Sequence, residues 1–242
     1  MKIIIPNAKE LNTNLNNQSF QELPKSSKQV LASLAAKSPE ELASFYKISE
    51  EKALLEWDRW QRIKNGQAKT YPAWQLYDGL MYRYMERRDL TNEEEDYLRK
   101  SVRLATGLYG LIQPFEGISP HRLDFQGSLK IGKQSLKQFW RPYYDQEVKH
   151  EKNVLSLASS EFEQVFSPDI QSRMTRVIFK EEKNGQLKVH STISKKGRGR
   201  LLSWMVKHQI NDIDNVKLFD LDGFRFDSTN SRENLFLFIR KL

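Results

Sequence analysis

The sequence predicts an α+β fold: one helix-rich domain over residues 1–242, built around a mixed β-sheet that takes strands from both termini and carries two C-terminal hairpins. Three observations predict it. The apolar run Lys2–Ile5, stopped by Pro6-Asn7, reads as a short buried strand. The middle of the chain repeats helix-capping signals ahead of apolar residues at helical spacing. The last third alternates about Asn184-Gly185 and Asp222-Gly223, the dipeptides that two-residue hairpin turns prefer. Strands at both ends with helices between them are most simply joined in one sheet.

The elements follow in order. Asn12–Gln21 is polar and asparagine-rich, a surface loop. Lys25–Leu34 has helical spacing. Ser38-Pro39-Glu40-Glu41 is a capping box with proline at the first helical position, opening a helix to about Tyr46. Ser49 caps a longer helix bearing Leu54, Leu55, Trp57 and Trp60, closed by Asn65-Gly66. Thr70-Tyr71-Pro72 starts a helix with Leu76, Tyr77, Leu80, Met81 and Tyr84 on one face. Thr91 and Glu94 form a second capping box for a helix reaching Leu104 and Ala105. Ser135–Lys149 reads as a helix interrupted at Pro142. Val154–Ala158 is a buried strand, and Ser160 with Glu163 caps the helix behind it. Arg176–Glu181 and Leu187–Thr192 form the first hairpin. Lys195–Gln209 is one basic, helix-like stretch. Val216–Leu221 and Phe224–Asp227 form the second hairpin, and Leu235–Arg240 is the last strand.

With 38% hydrophobic residues, 13 Phe, 9 Tyr and 5 Trp, the chain supports a packed core and is not disordered. It has no cysteine, which removes disulfides, thiolate metal sites and thiol redox chemistry together. Its four histidines, His121, His150, His190 and His208, lack metal-ligand spacing. Asp220-Leu221-Asp222-Gly223 fits turn chemistry better than a calcium loop. Walker, dinucleotide-binding and nucleophile-elbow motifs are absent. No metal, no cofactor and no recognised catalytic residue are therefore expected. The start of the chain has too short an apolar run for a signal peptide, and no stretch approaches a membrane span. A cytoplasmic location is the expectation.

The net charge is +8, and it is uneven. Residues 1–120 carry 17 Lys/Arg against 16 Asp/Glu, whereas residues 121–242 carry 22 against 15. A basic half of this kind suits a nucleic-acid partner. Lys183–Asn211 contains no acid, and at its centre Lys195-Lys196-Gly197-Arg198-Gly199-Arg200 sets four cations between glycines. The glycines would let the backbone approach a phosphate, with the N-terminus of a following helix aimed at the same anion. A solvated loop is the other reading. Phe125–Tyr144 is also acid-free and mixes cations with aromatics. Base stacking is one reading of it; Leu136, Phe139, Trp140 and Tyr143 at helical spacing favour a core stripe. Gly107-Leu108-Tyr109-Gly110 is either a helix C-cap or a turn touching a DNA backbone. Lys9 sits just past the first strand, where a buried sheet exposes functional groups.

Several motifs occur in a specific order: Tyr77-Asp78-Gly79-Leu80, Thr106-Gly107-Leu108-Tyr109-Gly110-Leu111, Pro114-Phe115-Glu116, Pro120-His121-Arg122-Leu123-Asp124, Phe139-Trp140, Leu157-Ala158-Ser159-Ser160-Glu161-Phe162 and Lys195-Lys196-Gly197-Arg198-Gly199. Together they resemble the YaaA family of bacterial peroxide stress proteins over nearly the whole chain. The resemblance implies a cytoplasmic α+β protein that limits iron-linked oxidative damage and binds DNA through a positively charged cleft. By position it carries over Lys9, Gly107, Gly110, Arg122, Lys195, Lys196 and Arg198; with Arg200 these are the expected DNA contacts. The chain departs from the family's usual residues at Pro6, Asn7 and Glu10, around Ala8-Lys9, and at Gln113, His121 and Ser156.

The function expected from the sequence is thus a peroxide stress protein that binds DNA, as duplex and with little base readout, mainly through phosphates. The alternative is an enzyme acting on a nucleotide or nucleic-acid base, with Lys9, Arg122, Asp124, Glu161, Lys195 and Arg198 in one cleft. A third class is a scaffold whose basic half meets an acidic protein.

Overall fold

Three consecutive isoleucines set the layout. Strand β1 (Lys2–Pro6) buries Ile3, Ile4 and Ile5 almost completely. The side-chain period of two sends Ile3 and Ile5 into one core and Ile4 into the other. A strand covered in this way lies inside a sheet packed on both faces. The structure, a computed structural model describing residues 1–188 and 190–242, continues through α1 (Lys25–Ala35), α2 (Pro39–Tyr46) and α3 (Glu50–Lys64). Next come β2 (Tyr71–Pro72), the one-turn helices α4 (Ala73–Leu76) and α5 (Leu80–Arg83), and α6 (Asn92–Ser101). Strands β3 (Val102–Thr106), β4 (Gly110–Ile112), β5 (Gly117–Ile118), β6 (Lys130–Ile131) and β7 (Gln134–Ser135) lead to α7 (Leu136–Val148). Then follow β8 (Val154–Ser156), α8 (Ser160–Glu163), α9 (Pro168–Ser172), β9 (Met174–Lys183), β10 (Gln186–Lys188) and α10 (Ser191–Lys207). A 3-10 turn over Asp214–Leu218 precedes β11 (Arg225–Phe226) and β12 (Leu235–Lys241).

The main sheet has the order β11-β12-β9-β8-β1-β3-β4, with β10 paired to the far end of β9. Strands β12, β9, β8, β1 and β3 run parallel, and β11 and β4 close the edges antiparallel. One face is covered by Trp74, Leu76, Met81, Leu98, Leu201, Leu202 and Met205 from α4, α5, α6 and α10. The other carries Val30, Leu34, Leu42, Trp60, Ile63, Trp140 and Tyr144 from α1, α2, α3 and α7. From β1 the chain moves to β3 on one side, and from β8 it moves to β9 and β12 on the other. The strand order therefore reverses between β1 and β8. Open sheets of this kind form ligand clefts outside the carboxyl ends of the strands at such a reversal.

The expected α+β class, with strands from both termini, is what the structure shows. The first hairpin also forms, with both members of Asn184-Gly185 at positive φ between antiparallel β9 and β10. Its second strand is shorter than the expected Leu187–Thr192: β10 ends at Lys188, Val189 lies outside the described residues, and Ser191 and Thr192 open α10. The boxes at Ser38 and Thr91 cap α2 and α6 as expected.

Five expectations are corrected. The helix expected to reach Ala105 ends at Ser101, and Val102–Thr106 is instead the fully buried β3, laddered on β1. The single helix expected after Thr70 is two turns broken at Tyr77, because the loop after β1 captures the backbone there. Asp78 N–H donates to the Glu10 carbonyl at 2.8 Å, and Asn12 N–H donates to that of Leu76 at 2.7 Å. Helix α7 runs through Pro142, which lies on the exposed face where water can satisfy the carbonyl it leaves free. At the second turn only Leu221 and Phe224 bridge across Asp222-Gly223; Val216–Leu218 lies in the 3-10 turn, and β11 pairs with β12. Finally, Tyr143 of α7, expected in a core stripe with Leu136, Phe139 and Trp140, is 52% exposed and faces solvent.

Candidate functional site

At the reversal between β1 and β8 lies a cleft of about 560 Å³. Its lining comes from five places in the chain: Pro6–Glu10 after β1, Gly79–Tyr82, the loop with Asp124 and Gln126, residues of Leu157–Phe162 after β8, and Lys195 and Arg198 of α10. The β1 end is held by main-chain chemistry. Asn7 N–H donates to the Ala105 carbonyl at 3.1 Å, its side-chain amide donates to the Leu123 carbonyl at 2.7 Å, and the buried Tyr82 hydroxyl donates to the Pro6 carbonyl at 2.7 Å. Lys9 therefore leaves a fixed backbone. Its Nζ stands 3.0 Å from Asp124 Oδ2 and 3.5 Å from Gln126 Oε1. The other end of the Gln126 amide donates to Glu161 Oε2, so one side chain links Lys9 to Glu161. Partial burial pushes the Glu161 carboxyl above its usual value; Asp124 adds to this, and Gln126, Lys9 and Lys137 oppose it.

The basic segment is corrected in its structure. Lys195–Arg200 is no loop ahead of a helix; it lies inside α10. Helical phase then divides its cations. Lys195 and Arg198, three apart, line the cleft. Lys196 and Arg200, four apart, turn to the other side, over the Tyr84 ring at 4.8 and 5.4 Å, where Arg200 Nε also lies 3.3 Å from Asp222 Oδ2. The Arg198 guanidinium donates to the Val177 carbonyl, its Nη2 at 3.2 Å, and burial lowers its pKa while Glu163 opposes. The glycines between these cations serve packing. A Cβ on Gly197 would fall 2.4 Å from the Phe179 ring, and one on Gly199 2.3 Å from the Met81 carbonyl oxygen.

Gly107 and Gly110 are both buried, so neither offers its backbone to a phosphate. A Cβ on Gly107 would meet Leu123 at 2.6 Å. Gly110, at φ 77°, lies against the Trp140 ring, whose Nε1 donates to the Gly107 carbonyl at 2.8 Å. Arg122 is likewise displaced from the expected cluster. Its guanidinium lies 5.6 Å from the Tyr46 ring centre and beside Glu56, whose carboxyl burial raises despite Arg59 and Arg122. Of the expected contacts, then, Lys9, Lys195 and Arg198 meet in the cleft, whereas Gly107, Gly110, Arg122, Lys196 and Arg200 do not line it. Of the carboxylates weighed for an enzyme, Asp124 and Glu161 both line it. Sequence reasoning missed Gln126, Ser159 and Tyr82. The place of Ser159 just beyond a buried strand was a usable signal; Gln126 and Tyr82 had none. Among the described residues, no group of three or more His, Asp or Glu is placed to hold a metal ion, and no helix is long and apolar enough to cross a membrane.

His121 is buried between Trp60 and Tyr109, with Nδ1 at 2.7 Å from the Ser119 carbonyl. That contact requires Nδ1 to be the donor, the neutral tautomer with Nδ1–H. Burial brings its pKa down to about 4 from 6.5. Between these values the unfolded chain binds a proton that the folded one refuses, so folding stability falls as pH drops through that window. Lowering pH from 7 to 5 should cost about 2 kcal/mol through this group. Urea unfolding at the two pH values, compared between wild type and His121→Phe, measures it; equal pH dependence in both would sink the assignment.

An α+β protein with a mostly parallel central sheet and a cation-lined cleft at its reversal point is the class that fold and site define. A family described as peroxide stress protein YaaA matches residues 1–230. A UPF0246 protein of Streptococcus gordonii is 44% identical over 242 residues, covering all of this chain and 99% of that protein. One from Streptococcus pneumoniae is 41% identical over the full length of both chains. The chain belongs to the peroxide stress protein YaaA family.

Proposed function

We propose that this member of the family acts in the cytoplasm as a DNA-binding protein that limits iron-linked oxidative damage, gripping phosphates through Lys9, Lys195 and Arg198. One observation carries the reading: three cations from opposite ends of the sequence gather in a single cleft at the carboxyl ends of β1 and β8. The basic C-terminal half supports it, and phosphate contact without a recognition helix implies little base readout. With no cysteine, thiol-based destruction or sensing of peroxide is not available to the chain, so protection acts through the nucleic acid.

Fluorescence anisotropy with duplex, single-stranded and junction DNA across a salt series tests this. Changing Lys9, Lys195 and Arg198 to glutamine should flatten the log–log salt slope by up to ~0.9 per lost contact. Changing Lys196 and Arg200 should alter it far less. No binding by wild type at low salt refutes the reading.

A second reading has its own observation. Asp124 and Glu161 share the cleft with the cations, linked to Lys9 directly and through Gln126. Carboxylates repel phosphate, so their place in the cleft favours chemistry on a bound nucleotide over backbone contact alone.

A further inference from the structure

Phosphate backbone lying across a surface needs cations and nothing else. This cleft has a different make-up. At about 560 Å³ it is of a size to take one nucleotide unit rather than a run of duplex. The Lys9 side chain, which lines it, is 48% exposed, and its amine is held 3.0 Å from the carboxylate of Asp124, itself only 17% exposed. A second carboxylate, Glu161, is tied to the same amine through Gln126. An accessible primary amine, a carboxylate in contact with it and another nearby are the groups that imine chemistry on an aldehyde requires. DNA presents an aldehyde where a base has been lost and the sugar ring has opened.

We propose that the cleft is a lyase centre for abasic sites in DNA, with Lys9 as its nucleophile. The proposal rests on the DNA-binding reading and names the substrate of the same cleft. Lys195 and Arg198 hold the flanking phosphates. Asp124 Oδ2 takes a proton from the Lys9 ammonium, and the freed lone pair forms the N–C1′ bond as the carbonyl electrons move to oxygen. That oxygen takes up protons and leaves as water, giving a protonated imine. The Glu161 carboxylate removes a C2′ proton; the C2′–H electron pair becomes the C2′=C3′ bond, and the C3′–O bond breaks with its pair leaving on the 3′ phosphate. Water adds back at C1′ and releases Lys9. No oxidant or reductant is consumed.

The test uses the full chain and a duplex oligonucleotide with one abasic site, made by excising a single uracil. Without reductant, the strand should be cut on the 3′ side of the lesion. With sodium cyanoborohydride, the imine should be reduced to a stable protein–DNA adduct of the expected mass. Lys9→Arg keeps the cation but cannot form the imine, so at DNA concentrations that saturate each protein by anisotropy the adduct should fall by at least about tenfold. Wild type that binds without forming an adduct overturns the lyase proposal and leaves DNA binding standing. Wild type that does not bind overturns both. An undiminished adduct in Lys9→Arg overturns Lys9 as the nucleophile.

Discussion

Gly199→Ala should destabilise the fold by about 2 kcal/mol: overpacking costs ~3 kcal/mol, and the helix propensity gained returns ~1 kcal/mol. The new methyl group would sit 2.3 Å from the Met81 carbonyl oxygen and 3.0 Å from Tyr84 Cβ. A backbone carbonyl of a neighbouring helix cannot swing away as a flexible side-chain end can. Gly197→Ala should act in the same direction, since its methyl meets the Phe179 ring, which is buried and stacked on Phe238. Chemical denaturation measures both. The readout separates two accounts of these glycines. A glycine kept for phosphate contact would, when changed, weaken DNA binding and leave stability alone. A stability unchanged to within ~0.5 kcal/mol for Gly199→Ala would show that α10 does not pack this closely.

Glu163→Ala should cost about 3 kcal/mol, because it removes one side of a buried, hydrogen-bonded ion pair. Glu163 is 6% exposed; it accepts from Ser156 Oγ at 2.6 Å and from Arg176 Nε at 2.8 Å. The sequence suggests a different job for it, the partner of Ser160 in a capping box. The N-cap of α8 is Ser159, which makes no side-chain cap bond, and the Glu163 carboxylate instead ties α8 to the ends of β8 and β9. Glu163→Gln, which keeps an acceptor for Ser156 but loses the charge, should cost less. The half-exposed Arg176 can regain water, which places the expected loss at the low end for buried pairs. A double-mutant cycle with Arg176→Ala is the decisive measurement: effects that add to within ~0.5 kcal/mol would mean that the pair contributes no coupling. Because α8 also carries Ser160, Glu161 and Phe162 of the cleft wall, the same variant should weaken whatever the cleft binds.

These two sites also mark how far the sequence is legible. Local chemistry is readable where it decides the outcome alone. The capping boxes of α2 and α6 form because Ser38 and Thr91 meet Glu41 and Glu94 three residues on. Asn184-Gly185 turns because both residues tolerate positive φ. Val102–Thr106 was not readable in this way. Five apolar-rich residues after a capped helix extend its pattern as well as they make a strand. What settles the matter is the ladder from Ile3–Pro6, about a hundred residues away in the chain. The basic segment failed for a related reason. Its glycines suggested an open backbone, but within a helix they mark where α10 touches β9 and α5, and the helical phase sends Lys195 and Arg198 one way and Lys196 and Arg200 the other.

By itself, then, the sequence determined the fold class, the buried first strand, the caps and first hairpin, the absence of thiol chemistry and the basic character of the second half, because each depends on neighbouring residues or on composition. Only the tertiary structure decided which cations share a cleft, that Asp124 and Gln126 stand beside Lys9 with Glu161 linked through Gln126, that Gly107 and Gly110 are committed to packing, and that Arg122 lies by Tyr46 outside the cleft. Those facts depend on the parallel pairing of β1 with β3 and β8, which brings together the ends of strands far apart along the chain. Long-range pairing of that kind leaves no local signature in the segments it joins.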